Sequence, residues 1–345
     1  MAGSFLPGAR HRSRTGVCLG AASPYNAMSV DEPCRWWRGI GGSVIAKVEW
    51  NLRGVILPLI TPFNEDLSVD YGGLARLVDY YIEEVGCDGL VPCGTTGESA
   101  TLSHQEHADV IRAVVQQTRR RVPVIASAGS NSTKEAVGLT RLAEELGADA
   151  TLQVGPYYNK PTQDGLFNHF ATIAGASRLP LIIYNIPGRT SRNIEPQTIA
   201  RLWREIPTVV GLKDSSADLH QVMDIYRSTD PATFKIYSGE DIMTLSLLCH
   251  GAAGAIAAVA HVVGREVKTM CEAVWAGRLT EARDVHYRIM DVVDALFVES
   301  NPIPVKQAVE WLGLPAGPLR PPLERLSPAG QEVLRAAMRA GGWLA

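Results

Sequence analysis

TVVGLKDSS, residues 208–216, opens as an apolar run and closes on two opposite charges, Lys213 and Asp214. The run reads as a buried strand. A lysine at its end either reaches solvent or sits in the interior, where an unpaired ammonium costs several kcal/mol. This stretch alone leaves both open, and the rest of the chain has to separate them.

Outward from there, strand-type segments alternate with helical ones. Strands are expected at 54–63, 89–94, 122–129, 150–156, 179–187, 208–216, 234–240 and 253–260. Between them lie helical patterns such as Leu74, Leu77, Val78, Tyr81, Ile82 and Val85, apolar at i, i+3, i+4 spacing. Ser103-His-Gln-Glu106 and Ser132-Thr-Lys-Glu135 read as capping boxes that open helices. Eight βα units in one run predict an α/β fold, a (β/α)8 TIM barrel over residues 49–276, rather than a doubly wound sheet. Of the further helices at 264–276, 279–297, 302–312 and 327–341, the first can close the eighth unit and the others exceed what the barrel needs. These others predict a C-terminal helical extension, a small bundle over 277–345, with Pro315, Pro318, Pro321 and Pro322 breaking the run.

Composition narrows the function classes. The 345 residues are 46% hydrophobic and carry a net charge of −3, which offers no basic field for nucleic acid or an anionic membrane. The apolar stretch 251–263 is too short and too rich in Ala and Gly to span a bilayer. Six cysteines (18, 34, 87, 93, 249, 271) show no paired spacing, which argues against a zinc site or disulfide framework and fits a cytoplasmic protein. Residues 1–48 differ: Arg10, Arg12 and Arg14 precede the first acid, Asp31, and no period emerges. Trp36-Trp37 and Asp31-Glu32-Pro33 do not continue a transit-peptide pattern. The segment reads as a non-structural extension or a start assigned too far upstream.

In a (β/α)8 barrel the active site forms at the C-terminal ends of the strands. Strand 2 ends in Gly94-Thr95-Thr96-Gly97-Glu98-Ser99 and strand 4 in Gly155-Pro156-Tyr157-Tyr158-Asn159. Strand 5 ends in Tyr184-Asn185-Ile186-Pro187-Gly188-Arg189-Thr190, strand 6 carries Lys213, and strand 8 contains Gly254-Ala255-Ile256. One lysine, several hydroxyls and one arginine therefore converge on one mouth, without the Asp, Glu and His set a divalent metal needs. That set suits Schiff-base chemistry. Burial disfavours the ammonium and leaves an amine that can attack a ketone, and the resulting iminium draws electrons from the neighbouring carbon. Blander readings exist for each residue. Residues 94–99 could cradle phosphate, but lack the Gly-Lys-Ser/Thr ending of a P-loop, or their hydroxyls and N–H groups could hold a carboxylate. Tyr184 and Tyr158 could be ordinary barrel aromatics, and Arg189 the structural partner of an acid.

Gly94-Thr-Thr-Gly-Glu-Ser99, Tyr157-Tyr-Asn-Lys-Pro161, Tyr184-Asn-Ile-Pro-Gly-Arg-Thr190, Gly211-Leu-Lys213 and Phe297-Val-Glu-Ser-Asn-Pro-Ile-Pro-Val-Lys306 resemble, in order and spacing, the motifs of the dihydrodipicolinate synthase (4-hydroxy-tetrahydrodipicolinate synthase) family. That family belongs to the pyruvate-dependent class I aldolases, with N-acetylneuraminate lyase as a relative. The similarity runs from about residue 52 to the C-terminus. It implies condensation of pyruvate with L-aspartate 4-semialdehyde on the diaminopimelate and lysine pathway, without metal or organic cofactor. Lys213 would form the imine and Tyr184 would move protons. Thr95 and Tyr158 would complete a hydroxyl relay, with Tyr158 lent across a subunit interface. Thr96 and the carbonyl of Ile256 would bind pyruvate, and Arg189 would take the aldehyde's carboxylate. The resemblance further implies a homotetramer built from dimers. It also implies an allosteric L-lysine site formed by Ser99, His104, His107, Asn131, Glu135 and Tyr157, although Glu135 already has a role as the N3 acid of a capping box.

Departures from the family pattern are modest: Asp214-Ser215-Ser216 after the lysine, Gly188 before Arg189 and Ala257 after Ile256. They leave substrate choice open to another pyruvate aldolase or dehydratase acting on a sugar acid or hydroxy-keto acid. Arg189 is the discriminating residue, because neuraminate lyases generally lack it. A silent barrel that senses a keto acid is the reading from a different class, and an intact lysine with its tyrosine argues against it.

Overall fold

The computed structural model describes residues 47–344. The expectations for residues 1–46, Trp36-Trp37, Cys18 and Cys34 among them, lie outside these. Eight strands alternate with helices in chain order: β1 (Gly54–Leu57), α1 (Tyr71–Glu83), β2 (Gly89–Leu90), α2 (His104–Thr118), β3 (Ile125–Ser127), α3 (Thr133–Glu145), β4 (Ala150–Val154), α4 (Gln163–Ala174), β5 (Leu181–Asn185), the single turn α5 (Pro187–Thr190) and α6 (Pro196–Glu205). Then follow β6 (Val209–Asp214), α7 (Leu219–Ser228), β7 (Lys235–Ser238), α8 (Thr244–Cys249), β8 (Gly254–Ile256), α9 (Ala260–Trp275), α10 (Leu279–Ala295), α11 (Ile303–Trp311) and α12 (Pro328–Ala340). All strands are parallel in the order β2-β1-β8-β7-β6-β5-β4-β3, and a bridge between Leu90 and Val124 joins the two ends into a barrel. The fold is the expected TIM barrel with added C-terminal helices. Its strands are shorter than their apolar runs, and proline gives the reason. Pro58, Pro92, Pro156 and Pro187 stand within two residues of the ends of β1, β2, β4 and β5, where a ladder donor is missing.

Period two sorts the side chains. Val55, Leu57, Leu181, Ile183 and Ile236 point outward into the layer shared with the helices, while Ile56, Ile125, Leu152, Ile182 and Tyr237 fill the barrel interior. Strand β6 breaks this alternation. Leu181 pairs with Val209 but Ile182 pairs with Gly211, so one residue bulges out of register. Val210 faces in, Leu212 faces out, and Lys213 follows on the inner side. Uninterrupted alternation from Val210 would have put Lys213 among the outer helices. Only glycine fits at the slip, since a Cβ on Gly211 would lie 2.5 Å from the carbonyl oxygen of Lys235.

The far end of the barrel is closed by residues 47–52. Trp50 Nε1 donates to the Tyr237 hydroxyl (2.9 Å), which donates to the Leu52 carbonyl (2.8 Å). Val48 donates to the Pro207 carbonyl, so the last residues of the expected 1–48 segment contact the barrel. At the other terminus α10 packs on α9 and α12, and α11 on the same two helices. No helix among the described residues is long and apolar enough to cross a membrane.

Candidate active site

Strands β5 and β6 put Tyr184 and Lys213 side by side as register partners. Both are buried, at 6% and 7% exposure, and the Lys213 ammonium lies 4.2 Å from the centre of the Tyr184 ring. The lysine stem runs over Gly239, where a Cβ would come within 2.7 Å of it. Lys213 therefore stays inside the barrel instead of reaching solvent. It stands at the wall of a cavity of about 850 Å³ that opens at the strand C-termini. Thr95, Thr96, Tyr184, Arg189 and Ile256 share that wall. The structure thus brings together six of the seven catalytic and substrate-binding residues expected from sequence. Tyr158 does not join them within one chain. It is 89% exposed on a left-handed backbone (φ 72°).

The loop after β2 is a tight turn. The N–H groups of Gly97, Glu98 and Ser99 bond to the carbonyls of Gly94, Thr95 and Gly94, so they are unavailable as an anion cradle. The threonine hydroxyls remain. Thr96 Oγ1 accepts 2.9 Å from Asn301 Nδ2, while the Asn301 carbonyl accepts 3.0 Å from Arg189 Nη2. Asn301 therefore ties the two loops together from the segment between α10 and α11. Beneath the turn, Glu98 (φ 54°) forms a buried ion pair with Lys306 of α11 at 2.8 Å. Lys306 also donates to the carbonyls of Thr61 and Pro318, and the Arg320 N–H donates to Glu98.

Sequence reading passed over the end of β7. Ser238-Gly239-Glu240-Asp241 follows that strand, and Glu240 and Asp241 both line the cavity. Asp241 is 7% exposed, and its Oδ1 is buried without a partner among the described residues. Burial pushes its carboxyl up to about 7, against the pull of the Lys213 ammonium and the N–H groups of Val259 and Ala258. Burial raises Glu240 as well, again opposed by Lys213. The rule that exposed the other strand ends would have found this pair. Asn301 also lay within a motif already singled out, yet carried no assigned chemistry.

Ser99, His104, His107, Glu135 and Tyr157 line the same cavity, with His104 and His107 from α2 and Glu135 from α3. Ser103 and Glu106 form the expected capping box, but the second box is only half made. Ser132 caps Glu135 N, while the Glu135 carboxylate turns to His104 Nε2 (2.7 Å) and to Ser130 Oγ. Those two bonds hold Glu135 below the usual carboxylate range. Burial pulls His107 down to about 4, so it is a neutral imidazole, and its Nδ1 has no partner among the described residues. Asn131 is not on this wall; its carbonyl accepts from Asn159 Nδ2 (2.9 Å).

Known proteins resemble this chain in sequence and fold. Residues 51–340 match the Dihydrodipicolinate synthetase family. A 4-hydroxy-tetrahydrodipicolinate synthase of Nitratidesulfovibrio vulgaris is 48% identical over 290 residues, 84% of this chain and 98% of the relative. A lysine-bound crystal structure from Cyanidioschyzon merolae superposes with a TM-score of 0.83 at 43% identity, covering 86% of this chain and all of the other. The chloride-inhibited Acinetobacter baumannii enzyme in complex with pyruvate gives a TM-score of 0.82 at 40% identity, over 85% of this chain and 100% of that one. With its barrel, its buried lysine and its motifs in register, the chain belongs to the dihydrodipicolinate synthetase family.

Proposed function

We infer that this chain has 4-hydroxy-tetrahydrodipicolinate synthase activity, joining pyruvate to L-aspartate 4-semialdehyde through an imine on Lys213. The observation that carries the reading is the register pair Tyr184–Lys213, buried in a cavity that Arg189 also lines. The Lys213 amine adds to the C2 carbonyl of pyruvate, and water leaves to give the iminium. Loss of a methyl proton then yields an enamine, which attacks the aldehyde carbon. Tyr184, beside the nitrogen, moves protons in these steps, with Thr95 assigned to the same hydroxyl relay. The Thr96 hydroxyl and the Ile256 carbonyl are assigned to pyruvate. Arg189 offers its guanidinium to the carboxylate of the aldehyde.

Three finer assignments belong to the same reading. Tyr158, an exposed ring on a left-handed backbone, serves the site of a neighbouring copy in a dimer of dimers. L-lysine binds at Ser99, His104, His107, Glu135 and Tyr157, which line the cavity, whereas Asn131 of the expected set does not; the presence of the Glu135 carboxylate in that lining supports an ammonium-binding role. Cys87, Cys93, Cys249 and Cys271 are free thiols, which suits a reaction in the reducing cytoplasm.

Borohydride reduction in the presence of pyruvate, followed by peptide mass analysis, tests the imine. A pyruvate-sized adduct on Lys213 is expected, and its absence defeats the assignment. A coupled assay with a panel of aldehydes then tests the second substrate. Preference for a sugar acid or hydroxy-keto acid over aspartate semialdehyde would place the chain with another aldolase.

A further inference from the structure

We propose that Asp241 takes the proton from the α-ammonium of the aldehyde substrate when that nitrogen closes the ring onto the imine carbon held by Lys213. The proposal rests on the pyruvate–aspartate semialdehyde reading above and assigns its last covalent step.

Ring closure needs a base that carbon–carbon bond formation does not. After the enamine has attacked, the substrate nitrogen is an ammonium and has no lone pair. One N–H bond must break, with the proton passing to a carboxylate. The freed pair forms the C–N bond to the imine carbon while the C=N π pair withdraws onto the Lys213 nitrogen. A second proton crosses from the new nitrogen to the Lys213 nitrogen, which departs as the neutral amine and leaves a cyclic iminium. Asp241 then returns its proton to water, so protons and electrons balance without a further reactant.

The geometry favours Asp241 among the acids of the cavity. Glu98 is bound to Lys306 and the Arg320 N–H, and Glu135 to His104 and Ser130. Asp241 opens a short 3-10 turn directly after β7, next to β6 and Lys213, whereas Arg189 follows β5 on the other side of the lysine. A substrate bearing an ammonium and a carboxylate on one carbon fits between an acid and a guanidinium set that way. The charged groups acting on Asp241 are Lys213 and Glu240, and its Oδ1 has no partner among the described residues to compete with a substrate. Its basicity, raised by burial, lies between that of an ordinary carboxylate and that of an amine, where a proton shuttle works best.

The test is Asp241→Asn, quenched with borohydride in the presence of pyruvate and aspartate semialdehyde and analysed by mass at Lys213. The expected result is normal trapping of pyruvate, a fall in turnover of about 100-fold, and accumulation of an open-chain adduct carrying both substrates. Succinate semialdehyde, the same aldehyde without nitrogen, should give its adduct at equal rates in wild type and variant. Turnover within threefold of wild type overturns the proposal, as does a variant that cannot trap pyruvate, since the carboxyl would then act before the aldehyde arrives. The adduct appearing instead with Glu240→Gln would give the role to the neighbouring acid. Asp241→Ser supplies a second route, in which added formate should restore ring closure in a dose-dependent way; no rescue counts against the assignment. If wild type traps pyruvate yet ignores aspartate semialdehyde, the substrate reading has failed and the proposal falls with it.

Discussion

Replacing Lys306 with methionine should destabilise the protein and disturb the loop that carries Thr95 and Thr96, which Lys306 holds through Glu98. Lys306 is 2% exposed, and its ammonium is bonded to Glu98 Oε1 at 2.8 Å, Pro318 O at 2.7 Å and Thr61 O at 3.1 Å. Methionine fills much of the stem's volume, so the cavity term is small. What remains is a carboxylate at 1% side-chain exposure, held among the described residues by the Arg320 N–H alone. Stranding one partner of a buried pair costs about 3–5 kcal/mol. At about 2 °C per kcal/mol for a large domain, Tm should fall by about 6–10 °C. Adding Glu98→Gln should recover more than half of that loss, because the uncompensated charge is gone. Urea unfolding of wild type, both single variants and the double variant, at one protein concentration, closes the cycle. A Lys306→Met protein within 1 kcal/mol of wild type, or strictly additive losses in the double variant, would refute the reasoning. The single variant should also form the pyruvate imine more slowly, since Glu98 anchors the turn that carries Thr95 and Thr96.

Other expectations concern the site and its protons. Lys213→Ala should abolish borohydride trapping and lower turnover by several orders of magnitude, and Lys213→Arg should fail equally, because a guanidinium cannot serve as the free amine. Arg189→Ala should still trap pyruvate but lose about 2 kcal/mol or more, roughly 30-fold, in kcat/KM for aspartate semialdehyde; equal use of the aldehyde would point to another substrate. Millimolar L-lysine should bind and slow the wild type in calorimetry and kinetics, whereas Glu135→Ala should keep turnover and lose the response. Acid should unfold the chain early. Buried His107, His169 and His261 are each pulled down to about 4, so between that value and the ordinary 6.5 the unfolded chain binds three protons that the folded chain refuses. Asp241, pushed up to about 7, offsets one of them. Stability is therefore complete above about pH 6.5 and should fall by roughly 3 kcal/mol per pH unit near pH 5. His261→Asn should flatten that slope by about half.

The barrel was legible because each strand is a short apolar run set between helical periods, and proline marks where the runs stop. Lys213 was legible as an anomaly, a charge at the end of a buried strand. Its direction was not. Period two carried from Val210 puts Leu212 inside and Lys213 outside, and only the register slip at Gly211 reverses them. A slip is a property of two strands, and the single strand shows it only as a glycine. The half-made capping box failed for a related reason. Sequence places Glu135 three residues after Ser132, but the carboxylate follows whichever donors tertiary structure brings, here His104 from α2 and Ser130. Asp241 was missed through reading only some of the strand ends.

The C-terminal helices prove to be part of the site's architecture, and the bonds show how. A (β/α)8 barrel builds its mouth from loops that have no rigid neighbour above them. Here the chain that leaves α10 returns across that mouth. Phe297, Ser300 and Asn301 reach the cavity wall, Asn301 fastens Thr96 and Arg189, and one turn later Lys306 fixes the turn beneath from its buried side. The loops that carry Thr96 and Arg189 are thus held at a set separation by a segment outside the eight βα units. Truncation before α11 should therefore leave the barrel strands paired while the relative placement of Thr96 and Arg189 is lost. Loss of aldehyde use should exceed loss of pyruvate trapping, because Lys213 and Tyr184 are fixed by the sheet itself.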